Sequence, residues 1–175
     1  MISYRLAVKS DYLAIANLHA VSWQENYRGD FTDDFLDNQV MDERLGVWRE
    51  RFATSKHNQH ILIAEQGNKI CGFLCAYMND DPVYGTFIDN LHVSSKIKGK
   101  GIGSKLIKLI AQESFNDFPN AKLYLWVLES NTSAIDFYAI LGGKNIETVT
   151  STEIGDKPIR AHRIVWNNAK ELLEK

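Results

Sequence analysis

The chain has 175 residues, of which 45% are hydrophobic and 24% charged, and its formal net charge is −2. This size and balance are typical of one globular domain, and the near-neutral charge does not favour a nucleic-acid-binding protein. The opening residues lack the pattern of a signal peptide, and no stretch approaches the roughly 20 apolar residues of a membrane span. We therefore expect one cytoplasmic domain over 1–175 with no nucleic-acid or membrane partner.

The first third of the chain predicts a strand and two helices. A strand over 2–8 precedes a helix that begins near Ser10, because serine can cap the free N–H groups of a helix start. A loop over 26–32 follows. A second helix over 34–51 is indicated by apolar residues that recur at helical spacing.

Three strands follow, and they should form an antiparallel meander. Gly67 and Asn68 form a tight turn between the first two strands, and such a turn joins neighbouring antiparallel strands. The three predicted strands cover 60–65, 69–78 and 86–93.

The second half of the chain predicts a strand–helix–strand crossover. The strand over 86–93 runs into a glycine-rich loop at 99–103, and the helix that follows ends at Pro119. Because the strand over 122–128 is reached through this helix, the two strands should lie parallel. The remaining predicted elements are a helix from Asn131 to Gly142, strands over 144–150 and 157–166, and a short helix over 167–175.

These elements have the order β-α-α-β-β-β-α-β-α-β-β, which indicates an α+β domain with a mixed, mostly antiparallel central sheet flanked by helices. Cys71 and Cys75 lie four residues apart in one predicted strand. Their Cα atoms should be roughly 13 Å apart, beyond the range of a disulfide. No further ligand side chains are evident beside them, so we expect two buried cysteines and no metal site.

The glycine-rich loop is the most informative segment. The first N–H groups of a helix have no partner inside it, and glycine lets a phosphate group approach them closely. An anion site is therefore favoured, and an ordinary loop entering a helix is the alternative. The P-loop pattern fails because Lys100 is followed by Gly101, and G-x-G-x-x-G fails at Ser104. These mismatches disfavour a nucleotide-binding protein.

Two segments resemble motifs of the GCN5-related N-acetyltransferases, the GNAT family. Motif A reads R/Q-x-x-G-x-G/A after a strand with a hydrophobic end, and this chain has KGKGIG at 98–103 after LHV at 91–93. Motif B is similar to LESNTSAIDFYAILGGK at 128–144. The opening YRLAVKSDYLAIANLH, at 4–19, resembles the first strand and helix of the family, so the resemblance covers nearly the whole chain.

The resemblance implies an acetyltransferase with acetyl-CoA as co-substrate and no metal. The glycine loop would hold the phosphates, with Lys98 where the family usually has arginine or glutamine. A β-bulge in the strand over 86–93 would free backbone groups for the pantetheine arm and the oxyanion. The implied cofactor-binding residues are Leu91, His92, Val93, Lys98, Gly99, Lys100, Gly101, Ile102, Gly103, Ser104 and Asn131.

Direct attack of an amine on the thioester needs a base, because an alkylammonium with a pKa of about 10.4 must first lose a proton. The resemblance implies Asp89, acting through water, with His92 as the competing candidate. Without a bulge, Asp89 would share one strand face with the residues two and four positions later. The acidic position found in some relatives on the strand over 122–128 is Trp126 here.

Tyr138 is the implied acid for the departing thiolate, because it lies two helical turns after Asn131 and on the same side of the helix. The structural alternatives are a core tyrosine for Tyr138, a helix cap for Asn131 and a solvated strand end for Asp89.

Family members usually form the acceptor pocket from the first two helices and their loop. The pattern S-W-x-x-x-Y-R-G at 22–29 resembles a subgroup that includes polyamine acetyltransferases. Trp23 and Tyr27 could line one wall, with core packing as the alternative. Local acidic residues would attract a cationic acceptor, although such acidic runs more often form a solvated face. These acidic residues are Glu25, Asp30, Asp33, Asp34 and Asp37.

The acceptor expected first is a small polyamine-like primary amine. A protein N-terminus or lysine is second, and an amino-sugar is third. A non-catalytic acyl-CoA-binding sensor is the alternative from another class, but it could dispense with Asp89 and Tyr138, and both are present. The resemblance also allows a homodimer.

Overall fold

The structure is a computed structural model, and it describes residues 1–174. Its elements follow the predicted order. The strands are β1 (Ile2–Leu6), β2 (Gln59–Gln66), β3 (Lys69–Asp81), β4 (Gly85–Val93), β5 (Leu123–Leu128), β6 (Lys144–Ser151) and β7 (Ile159–Trp166). The helices are α1 (Tyr12–Asn26), α2 (Val40–Ala53), α3 (Ile102–Asp117), α4 (Thr132–Ile140) and the short α5 (Lys170–Leu173). Among residues 1–174, none of the helices combines the length and apolar composition needed to cross a bilayer.

The strands form one sheet in the order β1-β2-β3-β4-β5-β7-β6. The crossover prediction is confirmed, because β4 and β5 are parallel while the other paired strands of the described sheet are antiparallel. Gly67 and Asn68 join β2 to β3 with φ values of 58° and 62°. Two left-handed residues in succession match the right-handed twist of a hairpin. The predicted mixed, mostly antiparallel α+β fold is therefore correct.

Helices cover both faces of the sheet. On one face, Ile107 and Ile110 of α3 pack with Leu74 and Leu125, and residues of α4 and α5 complete this core. On the other face, Trp48 of α2 packs against Phe73 beside α1. Each helix uses one apolar stripe for this contact, as the sequence pattern predicts.

The second predicted helix begins close to residue 34 as expected, but it is irregular near its start. Residues 33–34 are helical, Phe35–Gln39 form a π-helical turn, and the regular helix runs on from Val40. Phe35 and Leu36 of this turn are both buried, and they belong to one apolar cluster with Trp23, Phe31 and Val40.

A β-bulge interrupts β4 at Asp89. Asn90 lies opposite Cys75, and Ile88 lies opposite Ala76, so Asp89 is the extra residue. On the other side, pairing of β4 with β5 is confined to Thr86–Ile88 and Leu123–Leu125. Beyond these residues the two parallel strands diverge, and the sheet opens between them.

The bulge decides which face of the sheet Asp89 occupies. Leu91 and Val93 pack against the core on the α3 face. Asp89 forms an ion pair with Arg51 of α2, on the opposite face. The extra residue shifts the alternation of side chains by one position, so the shared face expected for a strand without a bulge is not formed.

Candidate active site

A cavity of about 1050 Å³ lies where β4 and β5 diverge. Its walls are formed by the separating ends of these strands, the start of α3, one side of α4 and the C-terminal end of α1. Facing strand edges that no longer pair offer backbone N–H and C=O groups to a ligand between them. The structure gathers the predicted site residues around this cavity, with the exception of Lys100.

The glycine loop forms one end of the cavity. Gly99 and Gly101 have φ values of 81° and 72°. This left-handed backbone conformation is strained for residues other than glycine. Gly101 caps α3 without a side-chain hydrogen bond. The first N–H groups of a sixteen-residue helix are therefore available to an anion, and the helix dipole adds positive potential.

The two lysines of this loop lie in different places. Lys98 lines the cavity, and its Nζ donates to Asn26 Oδ1 over 3.4 Å. Lys100 is exposed and lies outside the cavity wall. A direct ligand contact is therefore open to Lys98, whereas Lys100 can contribute only a longer-range charge.

The opposite wall contains Asn131, expected to contact the cofactor, and Tyr138, expected to protonate the thiolate. Asn131 caps α4, with its Oδ1 accepting from the N–H of Ala134 over 3.3 Å. Tyr138 lines the cavity, is 8% exposed and packs edge-on against Trp166. Burial, and to a lesser degree the nearby Tyr27, raises the pKa of Tyr138, so its hydroxyl keeps a proton to donate. Burial raises the pKa of Tyr27 to about 12.

Asp89 lines the cavity and is held from the side of α2. Arg51 Nη2 lies 2.7 Å from Asp89 Oδ2, and Arg51 Nη1 donates to Asn90 Oδ1 over 2.8 Å. Burial lowers the pKa of Arg51, but Asp89, Cys75 and Tyr77 together raise it by more, so the net shift is upward. One guanidinium thus binds two successive residues of the bulge and fixes the Asp89 carboxylate at the opening of the sheet.

His92, the competing base, belongs to a buried polar network. Its Nδ1 lies 2.8 Å from Ser22 Oγ, and its ring lies 4.3 Å from that of His19. His19 Nδ1 accepts from Trp48 Nε1, so the hydrogen of a neutral His19 must reside on Nε2. Burial, together with the positive charges of Arg44 and Lys98, lowers the pKa of His92 to about 3. Burial also lowers the pKa of His19.

These two histidines should make the protein less stable in mild acid. Because their pKa values are lowered in the folded state, their contribution is present above the unfolded value of about 6.5 and is lost as the pH falls towards 3. For His92 alone the loss at pH 5 is about 2 kcal/mol. Urea unfolding at pH 7 and pH 5 should show a smaller pH-dependent loss in His92→Gln than in the wild type.

The exposed His57 offers the control for this comparison, since His57→Gln should keep the pH dependence of the wild type. An equal loss of unfolding free energy in His92→Gln and the wild type would show that His92 is not held neutral.

The two predicted acceptor residues lie at the α1 end of the cavity. Trp23 is 6% exposed and stacks on Phe31 with ring centroids 5.1 Å apart. Tyr27 meets the edge of Trp23 at 5.4 Å. Both rings line the cavity while they pack on their neighbours. The two alternatives, core packing and a wall of the acceptor pocket, are therefore compatible.

The acidic residues around this helix end do not form a rim. None of the five lines the cavity among residues 1–174. Arg28 forms ion pairs with two of them, Asp33 and Asp37. Polar side chains nearby contact the other three, Glu25, Asp30 and Asp34. The acidic-rim expectation is therefore wrong, because local partners already use these carboxylates.

A loop between β6 and β7 closes this side of the cavity, although the sequence patterns gave no role to it. Residues 150–154 line the cavity, and Asp156 accepts from the N–H and hydroxyl of Thr32. Lys157 Nζ donates to the carbonyl of Gly29 over 2.6 Å. Gly155 lies so near Phe31 that a Cβ would be 2.1 Å from its ring. The loop is thus fastened to the segment between α1 and α2.

Two arginines of the site were also missed. Arg44 lines the cavity and lies over the ring of Trp23, 4.4 Å from its centroid, while Arg51 holds the bulge. Arg44, Trp48 and Arg51 have the spacing i, i+4, i+7, which places them on one helix face. Because Trp48 is fully buried, that spacing is a sequence signal that could have placed both arginines inside.

Comparison with known proteins agrees with this arrangement. Residues 14–142 match the model of the acetyltransferase (GNAT) family. The chain belongs to this family. The match contains the glycine loop, the diverging strands and α4, so the GNAT motifs coincide with the walls of the cavity.

Individual GNAT relatives are distant. Bovine thialysine N-epsilon-acetyltransferase is 31% identical over 97 residues, which cover 50% of this chain and 56% of the bovine protein. The chain therefore spans about half the length of the curated relatives it matches first. In fold it is similar to the PaiA N-acetyltransferase of Thermoplasma acidophilum, solved with coenzyme A (TM-score 0.76, 16% identity, 95% of this chain and 99% of that one).

A second solved structure is similar in fold, an N-acetyltransferase from Staphylococcus aureus Mu50. It has a TM-score of 0.68 and 20% identity over 95% of this chain and 98% of that one.

Among residues 1–174 of the present chain, no three His, Cys, Asp or Glu side chains cluster in a way that could hold a metal ion.

Proposed function

We propose that this protein transfers the acetyl group of acetyl-CoA to the primary amine of a small molecule. The observation that carries the proposal is the opening between β4 and β5, with the left-handed glycine loop at one end and Tyr138 on the facing wall. Unpaired strand edges suit the amide-rich pantetheine arm, and the start of α3 suits its phosphates. In this proposal the donor contacts residues 91–93, Lys98, Gly99, residues 101–104 and Asn131, all of which line the cavity.

In the proposed reaction the amine nitrogen bonds to the acetyl carbon and the carbon–sulfur bond breaks. Asp89 receives the proton of the ammonium through water, and Tyr138 gives a proton to the departing thiolate. The N–H groups at the end of β4 are positioned to stabilise the oxyanion. His92 is the poorer candidate, because its Nδ1 is already in a hydrogen bond with Ser22 Oγ and its ring lies against that of His19.

The acceptor in this proposal carries its amine on a flexible chain, as a polyamine does. Bovine thialysine N-epsilon-acetyltransferase, by its name, acetylates an ε-amine, which supports a terminal amine here. The fastened loop between β6 and β7 supports a small acceptor over a protein, because it closes the cavity above Phe31.

The test is a thiol-release assay with acetyl-CoA and a panel of amines. The panel contains spermidine, spermine, putrescine, L-lysine, an amino-sugar and short peptides with a free N-terminus. Amine-dependent release of coenzyme A with a small aliphatic amine is the expected result, and mass spectrometry of the product should show the acetylated amine.

Release of coenzyme A with the peptides alone would indicate that the acceptor is a protein and not a small molecule. Binding of acetyl-CoA without amine-dependent release from any member of the panel would favour an acyl-CoA sensor over an enzyme.

A further inference from the structure

The charged residues on the acceptor side of the cavity are of both signs. Glu43, Asp89 and Glu153 are acidic, and Arg44 is basic. The charge of Asp89 is matched by Arg51 from behind the wall. Arg44 is therefore the basic side chain that α2 presents on this wall, whereas the ammonium of Lys98 comes from the glycine loop and donates to Asn26 Oδ1 at the end of α1.

The Arg44 guanidinium is held in place by two neighbouring side chains, Trp23 and Glu43. Its side chain is 11% exposed, and its guanidinium lies over the Trp23 ring at 4.4 Å from the centroid. Nε and Nη2 donate to the carboxylate of Glu43, whose side chain is 38% exposed. Among residues 1–174, no acceptor pairs with the other terminal nitrogen, Nη1. A guanidinium has five N–H donors in a plane, so a second carboxylate can bind this free edge.

The charge of Arg44 acts on the residues around this wall. Its charge contributes to lowering the pKa values of His19 and His92 and opposes the rise in the pKa of Tyr27. These residues surround the region between α1 and the end of β4. An anionic group on the acceptor would therefore be attracted to the α1–α2 wall, away from the opening of the sheet where the amine reacts.

We propose that Arg44 binds a carboxylate of the acceptor, so that the preferred acceptor is amino-acid-like, with a terminal amine at one end and a carboxylate at the other. The proposal rests on the proposed function. A dianionic phosphate fits less well, because Glu43, Asp89 and Glu153 line the same region. A zwitterion satisfies both signs of charge, whereas a polyamine leaves the free edge of Arg44 unpaired.

Matched pairs of acceptors that differ only in the carboxylate test this proposal. L-lysine should be acetylated with a kcat/KM at least 10-fold above that of cadaverine, and L-ornithine should exceed putrescine in the same way. Arg44→Met should lower kcat/KM for L-lysine by about 10- to 100-fold, mainly through KM, and should lower it far less for cadaverine, so that the ratio of the two values falls towards one. Arg44→Lys should lie between, since it keeps the charge and loses the planar fork.

Arg49 provides the control on the same helix, because it is exposed and outside the cavity wall. Arg49→Met should leave both members of each pair unchanged. Circular dichroism of each variant verifies folding, and Arg44→Gln replaces the methionine variant if that chain does not fold.

A binding measurement separates failure of this inference from failure of the proposed function. L-lysine and cadaverine are titrated calorimetrically into the protein saturated with coenzyme A, which needs no turnover. Tighter binding of L-lysine that is lost in Arg44→Met supports the carboxylate site even if no amine is acetylated. Equal affinities in the wild type, or a preference that survives Arg44→Met, would overturn it even if acetylation occurs.

Discussion

Tyr138→Phe should lower kcat by about 100-fold while leaving the affinity for acetyl-CoA unchanged. The phenylalanine ring keeps the packing against Trp166 and removes only the hydroxyl on the cavity wall. Because a positioned acid contributes on the order of 10²–10⁴-fold, its loss should slow the departure of the thiolate without weakening donor binding. Steady-state kinetics with calorimetry on the same preparation measure both quantities.

Tyr124 supplies the matched control. It is buried to the same 8% exposure, its pKa is also raised, to about 12, and it does not line the cavity. Tyr124→Phe should therefore change kcat less than twofold. A Tyr138→Phe enzyme with the kcat of the wild type would show that Tyr138 is a core residue and that the thiolate leaves without its help.

Asp89→Asn should also reduce kcat by about 100-fold at neutral pH, because the amide cannot receive the proton of the ammonium. Asparagine has nearly the same shape and can still accept a hydrogen bond from Arg51, so the bulge should persist. The deficit should shrink as the pH rises towards the acceptor's pKa of about 10.4, where the free amine no longer needs a base. A pH–rate profile of the two enzymes with one amine measures this.

The control for this variant is Glu113→Gln, which removes a carboxylate on α3 that pairs with His60 outside the cavity wall. It changes the net charge equally and should leave the profile unaltered. A deficit in Asp89→Asn that stays constant up to high pH would contradict a base and would leave Asp89 as a structural partner of Arg51.

Local pattern predicted the elements that build the cavity, because each depends on neighbouring residues. The glycines at 99–103 mark the start of α3, and the helix between 86–93 and 122–128 makes β4 and β5 parallel. Asn131 and Tyr138 are two turns apart on one helix, which places both on the cavity wall. These relations hold within about ten residues or follow from a single crossover.

The features that sequence patterns missed or could not place depend on contacts between distant residues. The family resemblance implied a bulge in β4, but its position at Asp89 is set by the register between β3 and β4, in which Asn90 lies opposite Cys75. The fastening of the loop between β6 and β7 joins Asp156 to Thr32, 124 positions apart. The acidic residues before α2 carried a misleading signal, since composition cannot show that Arg28 already pairs with two of them.

The most direct test of the central claim is a calorimetric titration of the protein with acetyl-CoA. We expect saturable binding of one acetyl-CoA per chain, and at least 10-fold weaker binding to Gly101→Val, because a β-branched residue is strained at a φ of 72°. Circular dichroism on both proteins verifies that they are folded. Absence of binding to the folded wild type would contradict the account, and the glycine loop would then be an ordinary entry to α3.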